Sequence, residues 1–158
     1  MDVKILFIGD IYGRAGRTLV SRELPALRQK LACDWVVANA ENVSGGVGLS
    51  PGHFKELCRA GVDVCTMGNH LFARRDWPDL VKDERVLRPH NLGGDALPGK
   101  GWGWYQGENG KALGVINVAG RVFMEPAECP FRWVEALLER LPHKMPVICD
   151  FHAEATSE

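Results

Sequence analysis

An α/β fold with a mostly parallel sheet is predicted by three observations. Apolar, β-prone runs alternate with amphipathic helical stretches as far as Met67. The early runs are continuously apolar, the pattern of strands buried on both faces. Two later strand-like runs flank an Asn-Gly pair, the strongest short hairpin signal.

The elements follow in order. Val3 to Ile8 is a strand, ended by Gly9-Asp10. Arg17 to Leu31 carries Val20, Leu24, Leu27 and Leu31 at helical spacing, and Pro25 within it predicts a kink or a split. Trp35 to Ala40 is the second strand, ending at Glu41-Asn42. Ser50-Pro51 has the form of an N-cap with proline at N1, opening a helix through Arg59 that Gly61 ends. Val62 to Met67 is the third strand, ending at Gly68-Asn69-His70. This β-α-β-α-β order implies right-handed crossovers. Asp76 to Val81 predicts a short helix. Trp102 to Gln106 and Ala112 to Val118 form the antiparallel hairpin around Glu108-Asn109-Gly110-Lys111. Phe131 to Leu141 is an amphipathic helix with Val134, Leu137, Leu138 and Leu141 on one side. Met145 to Phe151 is the last strand, ending at His152. No repeat, low-complexity tract or linker interrupts residues 1–158, which read as one domain.

Composition narrows the function classes. The 158 residues are 46% hydrophobic and 25% charged, ordinary for a globular domain with one core. Nineteen basic and twenty acidic residues nearly cancel, so charge gives no strong signal for nucleic acid and none for a membrane surface. No apolar run approaches the roughly 20 residues of a membrane helix. The five cysteines, Cys33, Cys58, Cys65, Cys129 and Cys149, are odd in number, form no C-x-x-C and sit mostly in apolar runs. They read as buried free thiols in a reducing compartment, and a cytoplasmic location is the expectation. No heptad or apolar stripe fixes an oligomeric state, which leaves a homo-oligomer open.

The chemistry is expected where strands end. Four runs finish in polar residues able to bind a metal: Asp10, Glu41-Asn42, Asn69-His70 and Asp150-Phe151-His152. Strand ends of a parallel sheet line one edge, the usual ligand position in open α/β sheets. Taken singly, Asp10 is as well explained as a turn cap, Glu41-Asn42 as a solvated loop start, Asn69-His70 as a turn with an incidental histidine, and His152 as a histidine packed at the core edge. Four such coincidences at four strand ends point instead to a site. Its donors are carboxylates, carboxamides and imidazoles without thiolate, a set suited to Mn²⁺, Fe, Mg²⁺ or catalytic Zn²⁺. A carboxylate such as Glu41 can bridge two cations roughly 3.5–4 Å apart, which clamp an in-line displacement at phosphorus.

Gly9-Asp10, Asn39-Ala40-Glu41-Asn42, Met67-Gly68-Asn69-His70 and Asp150-Phe151-His152-Ala153-Glu154 resemble the calcineurin-like metallophosphoesterases. The resemblance is closer to their YmdB-like branch of 2',3'-cyclic-nucleotide 2'-phosphodiesterases, and it runs along the whole chain. Two departures from the general superfamily pattern suit that branch: Tyr12 stands where a histidine is usual, and Glu41 where an aspartate is. The resemblance implies a four-layer α/β/β/α sandwich and two divalent cations, iron or manganese first, magnesium or zinc after them. It implies that Asp10 and Asn42 bind one cation, Asn69 and His152 the other, and that Glu41 bridges both. His70 would be the general acid, and a metal-bridging hydroxide the nucleophile. The substrate would be a small nucleotide or other phosphodiester, with 2',3'-cyclic nucleotides foremost.

The family pattern continues to a Gly-x-His-x-His segment that completes the site. His53, His70, His90, His143 and His152 are not paired at that spacing. The chain is therefore expected to be the N-terminal part of a longer domain, its sandwich incomplete. A catalytically impaired binding or regulatory protein is the competing reading. Further expectations attach to Gly13-Arg14-Ala15-Gly16-Arg17, Arg88 and Arg121 as phosphate contacts against solvated or structural arginines. Gly45 to Gly48 is expected to be a mobile loop beside the site. Trp102 and Trp104 are read as packing residues rather than a base-stacking platform.

Overall fold

Parallel pairing of the first three apolar runs sets the architecture. The structure, a computed structural model, describes residues 2–107, 109–141 and 146–158. Strand β1 (Ile5–Ile8) pairs in parallel with β2 (Trp35–Asn39), β2 with β3 (Val64–Thr66), and β3 with a short β4 (Val86–Leu87). The sheet order is β1-β2-β3-β4. Helices α1 (Gly13–Leu31) and α2 (Pro51–Ala60) make the two crossovers. A second sheet holds the expected hairpin, β5 (Trp102–Gln106) antiparallel to β6 (Ala112–Ala119), with β7 (Val147–His152) parallel to β6 at its edge. Helix α3 (Trp77–Leu80) is short, and α4 (Pro130–Leu138) covers the second sheet.

Strand alternation then sorts the side chains into layers. Val36, Ala38 and Cys65 pack with Val20, Leu24, Phe54 and Leu57 of α1 and α2. Val37, Val64 and Leu87, pointing the other way, meet Leu113 and Val115 of the second sheet. Ile116 and Val118 point outward again and pack with Leu137 of α4. The result is the four-layer α/β/β/α order that the resemblance implied.

Local chemistry accounts for the element ends. The Ser50 hydroxyl accepts from the His53 N–H at 3.2 Å, Pro51 opens α2, and Gly61 closes it at φ 109°. Such a cap contributes about 1 kcal/mol. Arg28 of α1 donates to the Gly61 carbonyl and pairs with Asp63 at 2.9 Å, while Asp63 accepts from the Val36 N–H. These contacts fix α1 against the entry to β3.

Several expectations are corrected. Pro25 does not split the first helix: α1 runs unbroken through it, with Pro25 on an exposed face. The third strand is shorter than expected, and Asn69–Ala73, for which no element was expected, form a 3₁₀ turn. Of the five free cysteines only Cys65 is buried, and Cys149 is exposed on the α4 side. The expected start of the last strand at Met145, His143, and Glu108 of the hairpin turn lie outside the described residues. Among the described residues no helix is long and apolar enough to cross a membrane.

Candidate metal centre

The six residues singled out at strand ends come together, but not along one sheet edge. Asp10, Glu41, Asn42, Asn69 and His70 follow strands of the first sheet, whereas His152 arrives on the edge strand of the second. The site therefore lies where the two sheets face each other.

Glu41 is its centre. The side chain is buried, and its two oxygens face different groups of donors. Oε1 accepts from Asn42 Nδ2 at 3.2 Å, and the same amide donates to Asp10 Oδ2 at 2.9 Å. Oε2 lies 3.4 Å from His152 Nε2, which is itself 3.2 Å from Asn69 Oδ1. Asp10 and Asn42 thus sit on one side of Glu41, and Asn69 and His152 on the other.

Hydrogen bonding also orients His70. Because Asn42 Nδ2 serves two carboxylates, Asn42 Oδ1 is the acceptor for His70 Nδ1, 2.6 Å away. His70 therefore donates from Nδ1 and leaves Nε2 free. Its backbone N–H points at Glu41 Oε2 at 3.4 Å. The ring is partly exposed, consistent with reach to a bound molecule rather than burial among ligands.

Gly68 makes this proximity feasible. A Cβ at Gly68 would fall on Glu41 Oε2 and 2.5 Å from His152 Nε2. The glycine is needed for space, since the backbone there is extended.

Beneath the donors lies a buried polar clamp that joins the sheets. Asp150 Oδ2 accepts from Asn39 Nδ2 at 3.1 Å and from the Thr66 hydroxyl at 2.5 Å. Asn39 Oδ1 in turn accepts from the Glu41 N–H, and Asn117 Oδ1 from the Met67 N–H. Asn39, Thr66 and Asn117 were not expected to support the site, and Asp150 only as part of a strand-end run. The available signal was one polar residue inside each of four apolar strands.

The donor set fits divalent cations, with one adjustment. Burial pushes the Glu41 carboxyl above its ordinary range, and Asp10 adds to that; His152 and His70 oppose it. A buried carboxylate beside a second one is stabilised by positive charge. Asn69 already presents its oxygen toward His152, but Asn42 offers a cation its oxygen only with its amide turned over, which gives His70 Nδ1 an N–H donor in place of Oδ1 and puts the ring proton on Nε2. Among the described residues, no three His, Cys, Asp or Glu side chains cluster as a metal site by themselves, so the carboxamides are essential to the set.

The other expectations divide. Arg88 is fully buried and donates to the carbonyls of Pro89, His90, Leu92, Gly94, Leu97 and Pro98, so it organises a loop rather than meeting phosphate. Arg17 pairs with Glu56 at 3.3 Å and donates to the Val43 carbonyl; Arg14 and Arg121 are exposed. Residues 45–48 form a turn beside the site, closed by Ser44 N–H to the Gly48 carbonyl at 2.9 Å. Tyr12 lies over Gly46, with 65% of its surface exposed. Trp102 packs with α4, and Trp104 stays partly exposed.

Known proteins share this arrangement of chain. A profile of the family described as YmdB-like protein matches residues 6–158. The 2',3'-cyclic-nucleotide 2'-phosphodiesterase of Bacillus subtilis is 39% identical over 158 residues, covering 99% of this chain and 59% of that protein. A crystal structure of a hypothetical protein from Thermus thermophilus superposes with a TM-score of 0.89 at 38% identity, over 98% of this chain and 59% of the other. A Mycoplasma pneumoniae structure described as a novel phosphatase gives 0.88 at 32% identity, over 98% and 57%. The chain thus spans less than two thirds of the length of these relatives.

Proposed function

The chain belongs to the YmdB-like protein family, and on that footing we propose that it carries the main part of a metal-dependent phosphodiesterase site for small phosphodiesters, 2',3'-cyclic nucleotides foremost. The observation that carries this reading is the division of Glu41 between two donor groups. A single buried carboxylate with one oxygen toward Asp10 and Asn42 and the other toward Asn69 and His152 has the form of a bridge.

Asp10, Glu41, Asn42, Asn69 and His152 would hold two divalent cations, iron or manganese before magnesium or zinc. Bound there, such cations supply positive charge for the phosphate and a nucleophile at neutral pH. The chain's own residues supply the rest. Glu41 and Asp10 bring negative charge that fixes where positive charge collects, and hence where a phosphate docks. His70 stands at the open side with its ring set by Asn42, and its Nε2 is placed to protonate the departing oxygen. The Asp150 clamp holds β7, and with it His152, against the first sheet.

The competing reading, a binding or regulatory protein without turnover, draws on the sparseness of the His and carboxylate donors. Metal analysis together with assays on bis-p-nitrophenyl phosphate and 2',3'-cAMP separates the two. About two bound cations and turnover of either ester are expected. Two cations without turnover would favour the binding protein, and no cations would remove the ligand assignment. His70→Ala sharpens the mechanism: metal content should stay, while the rate falls roughly 10²-fold or more. Loss of metal in that variant would make His70 a ligand.

A further inference from the structure

Next to Asn69 a cavity of about 420 Å³ opens between two loops. Phe72, Leu92, Leu97 and Pro126 give it apolar walls, and Asn69 and Glu125 stand at it as polar groups. Its size lies in the range of small-molecule sites, and a few polar groups on apolar walls is their usual composition. Asn69 belongs both to this cavity and to the candidate metal centre, so the two are adjacent.

The cavity is built rather than incidental. One wall, the loop bearing Leu92 and Leu97, is held by the fully buried Arg88 guanidinium through the carbonyls of Leu92, Gly94 and Leu97. The opposite wall is tied to the same loop by Asn91, 1% exposed, which donates to the Ala119 and Glu128 carbonyls. Two buried polar side chains thus fix the separation of the walls. Phe72 is 37% exposed and set edge-on to Trp77 at 5.1 Å, leaving ring surface at the cavity.

We propose that this cavity is the nucleobase subsite, selecting bases that carry an exocyclic amine; the proposal rests on the phosphodiesterase reading above. Charge gives the direction. Glu125 Oε1 accepts from Asn69 Nδ2 at 3.4 Å and leaves its other oxygen unengaged. A carboxylate repels phosphate, so the phosphate of a bound nucleotide goes to the cation side of Asn69 and the base to the other. The free oxygen accepts from the 6-amine of adenine or the 4-amine of cytosine, while uracil seated in the same way turns its O4 carbonyl to it, oxygen to oxygen. Apolar walls and the Phe72 ring cover the faces of the base.

Four substrates test this with the metal-loaded protein: 2',3'-cAMP, 2',3'-cCMP, 2',3'-cUMP and the baseless 2',3'-cyclic phosphate of 1-deoxyribose. The expected kcat/KM is about tenfold or more higher for the amine-bearing bases than for uridine, the scale of one hydrogen bond to a charged group. The baseless ester should be poorer still. Glu125→Gln should bring adenosine and uridine esters within about twofold of each other, because a carboxamide can also donate. Leu97→Trp, which fills the cavity, should raise KM for the nucleotides far more than for the baseless ester. Equal rates for baseless and base-bearing esters would overturn the subsite and leave the phosphodiesterase reading standing. If no ester is turned over, that reading fails, and calorimetry with adenosine and uridine 3'-monophosphates on wild type and Leu97→Trp still decides the cavity. Tighter adenosine binding that the tryptophan abolishes supports it; equal or unaltered binding ends it.

Discussion

The two sheets contribute to the site in different ways. The first sheet supplies Glu41, Asn42, Asn69 and His70 from behind β2 and β3, strands paired on both edges and buried along their whole length. The second supplies His152 from β7, an edge strand whose described residues are half-buried or exposed. The first set is held by the fold itself. The second is held by contacts between sheets, in which Asp150 meets Asn39 and Thr66. The difference teaches where the site is fragile: at the junction, not within either sheet.

The strongest way to break the comparison is to force the junction apart. Gly68→Ala places a methyl group where Glu41 Oε2 and His152 Nε2 now lie. Either the carboxylate or the imidazole has to move. We expect loss of bound metal and a fall in turnover of at least roughly 10²-fold, the scale of a 1 Å misplacement. Overpacking of this kind also costs about 1–3 kcal/mol of stability. Metal analysis with turnover on bis-p-nitrophenyl phosphate reads the result. Full metal content would show that the sheets are less tightly set than the structure implies.

A smaller effect should follow from cutting the clamp alone. Asp150→Ala leaves the Asn39 amide without its acceptor and the Thr66 hydroxyl with only the longer bond to the Ala38 carbonyl, in a largely buried place. Hydrogen bonds to a charged group are worth about 1.5–3 kcal/mol, so denaturant unfolding should show a loss of that size. The comparison predicts an unequal effect on the two groups of donors. Titration of metal into the variant should weaken the step that uses His152 and spare the one that uses Asp10. Asp150→Asn keeps one acceptor oxygen and should recover part of both. Equal weakening of both steps would mean that Asp150 supports the fold as a whole and not the second sheet's share of the site.

The same division explains what the sequence could reveal. Donors of the first sheet were legible because each ends a continuous apolar run, and parallel β-α-β units place such ends together. His152 was legible as a strand end, but the sheet it came from was not. Its position depends on Thr66 meeting Asp150, 84 residues away, and on Asn39 meeting it from 111 residues away. No local pattern encodes such pairs. Arg88 illustrates the same limit. An arginine near a strand end reads as a phosphate contact until the carbonyls around it are seen to close a loop on it. Gly68 read only as part of a motif, because the volume it leaves free is defined by side chains from β7 and from the residue after Ala40. Pro25 shows the reverse: of the kink or split that a local rule allowed, the split did not occur and α1 runs through it.

The subtlest test concerns charge at the junction. Burial holds the Glu41 carboxyl above its ordinary range in the metal-free protein. A carboxyl with a raised folded value binds its proton more tightly folded than unfolded. Its contribution to stability is therefore present at low pH and lost as pH rises through the folded value. Cations on Glu41 reverse the sign, since they favour the carboxylate and drive its folded value down. Stability from the loaded site is then present above the unfolded value and lost as pH falls. The melting temperatures of loaded and metal-free protein should accordingly draw apart as pH rises from the carboxylate range toward neutrality. Each tenfold difference in proton affinity between the folded and unfolded chain corresponds to about 1.4 kcal/mol, or roughly 3–6 °C in a domain of this size. Glu41→Gln removes that carboxyl, so the divergence between loaded and metal-free protein should shrink in the variant. An unchanged divergence would remove Glu41 from the centre of the site.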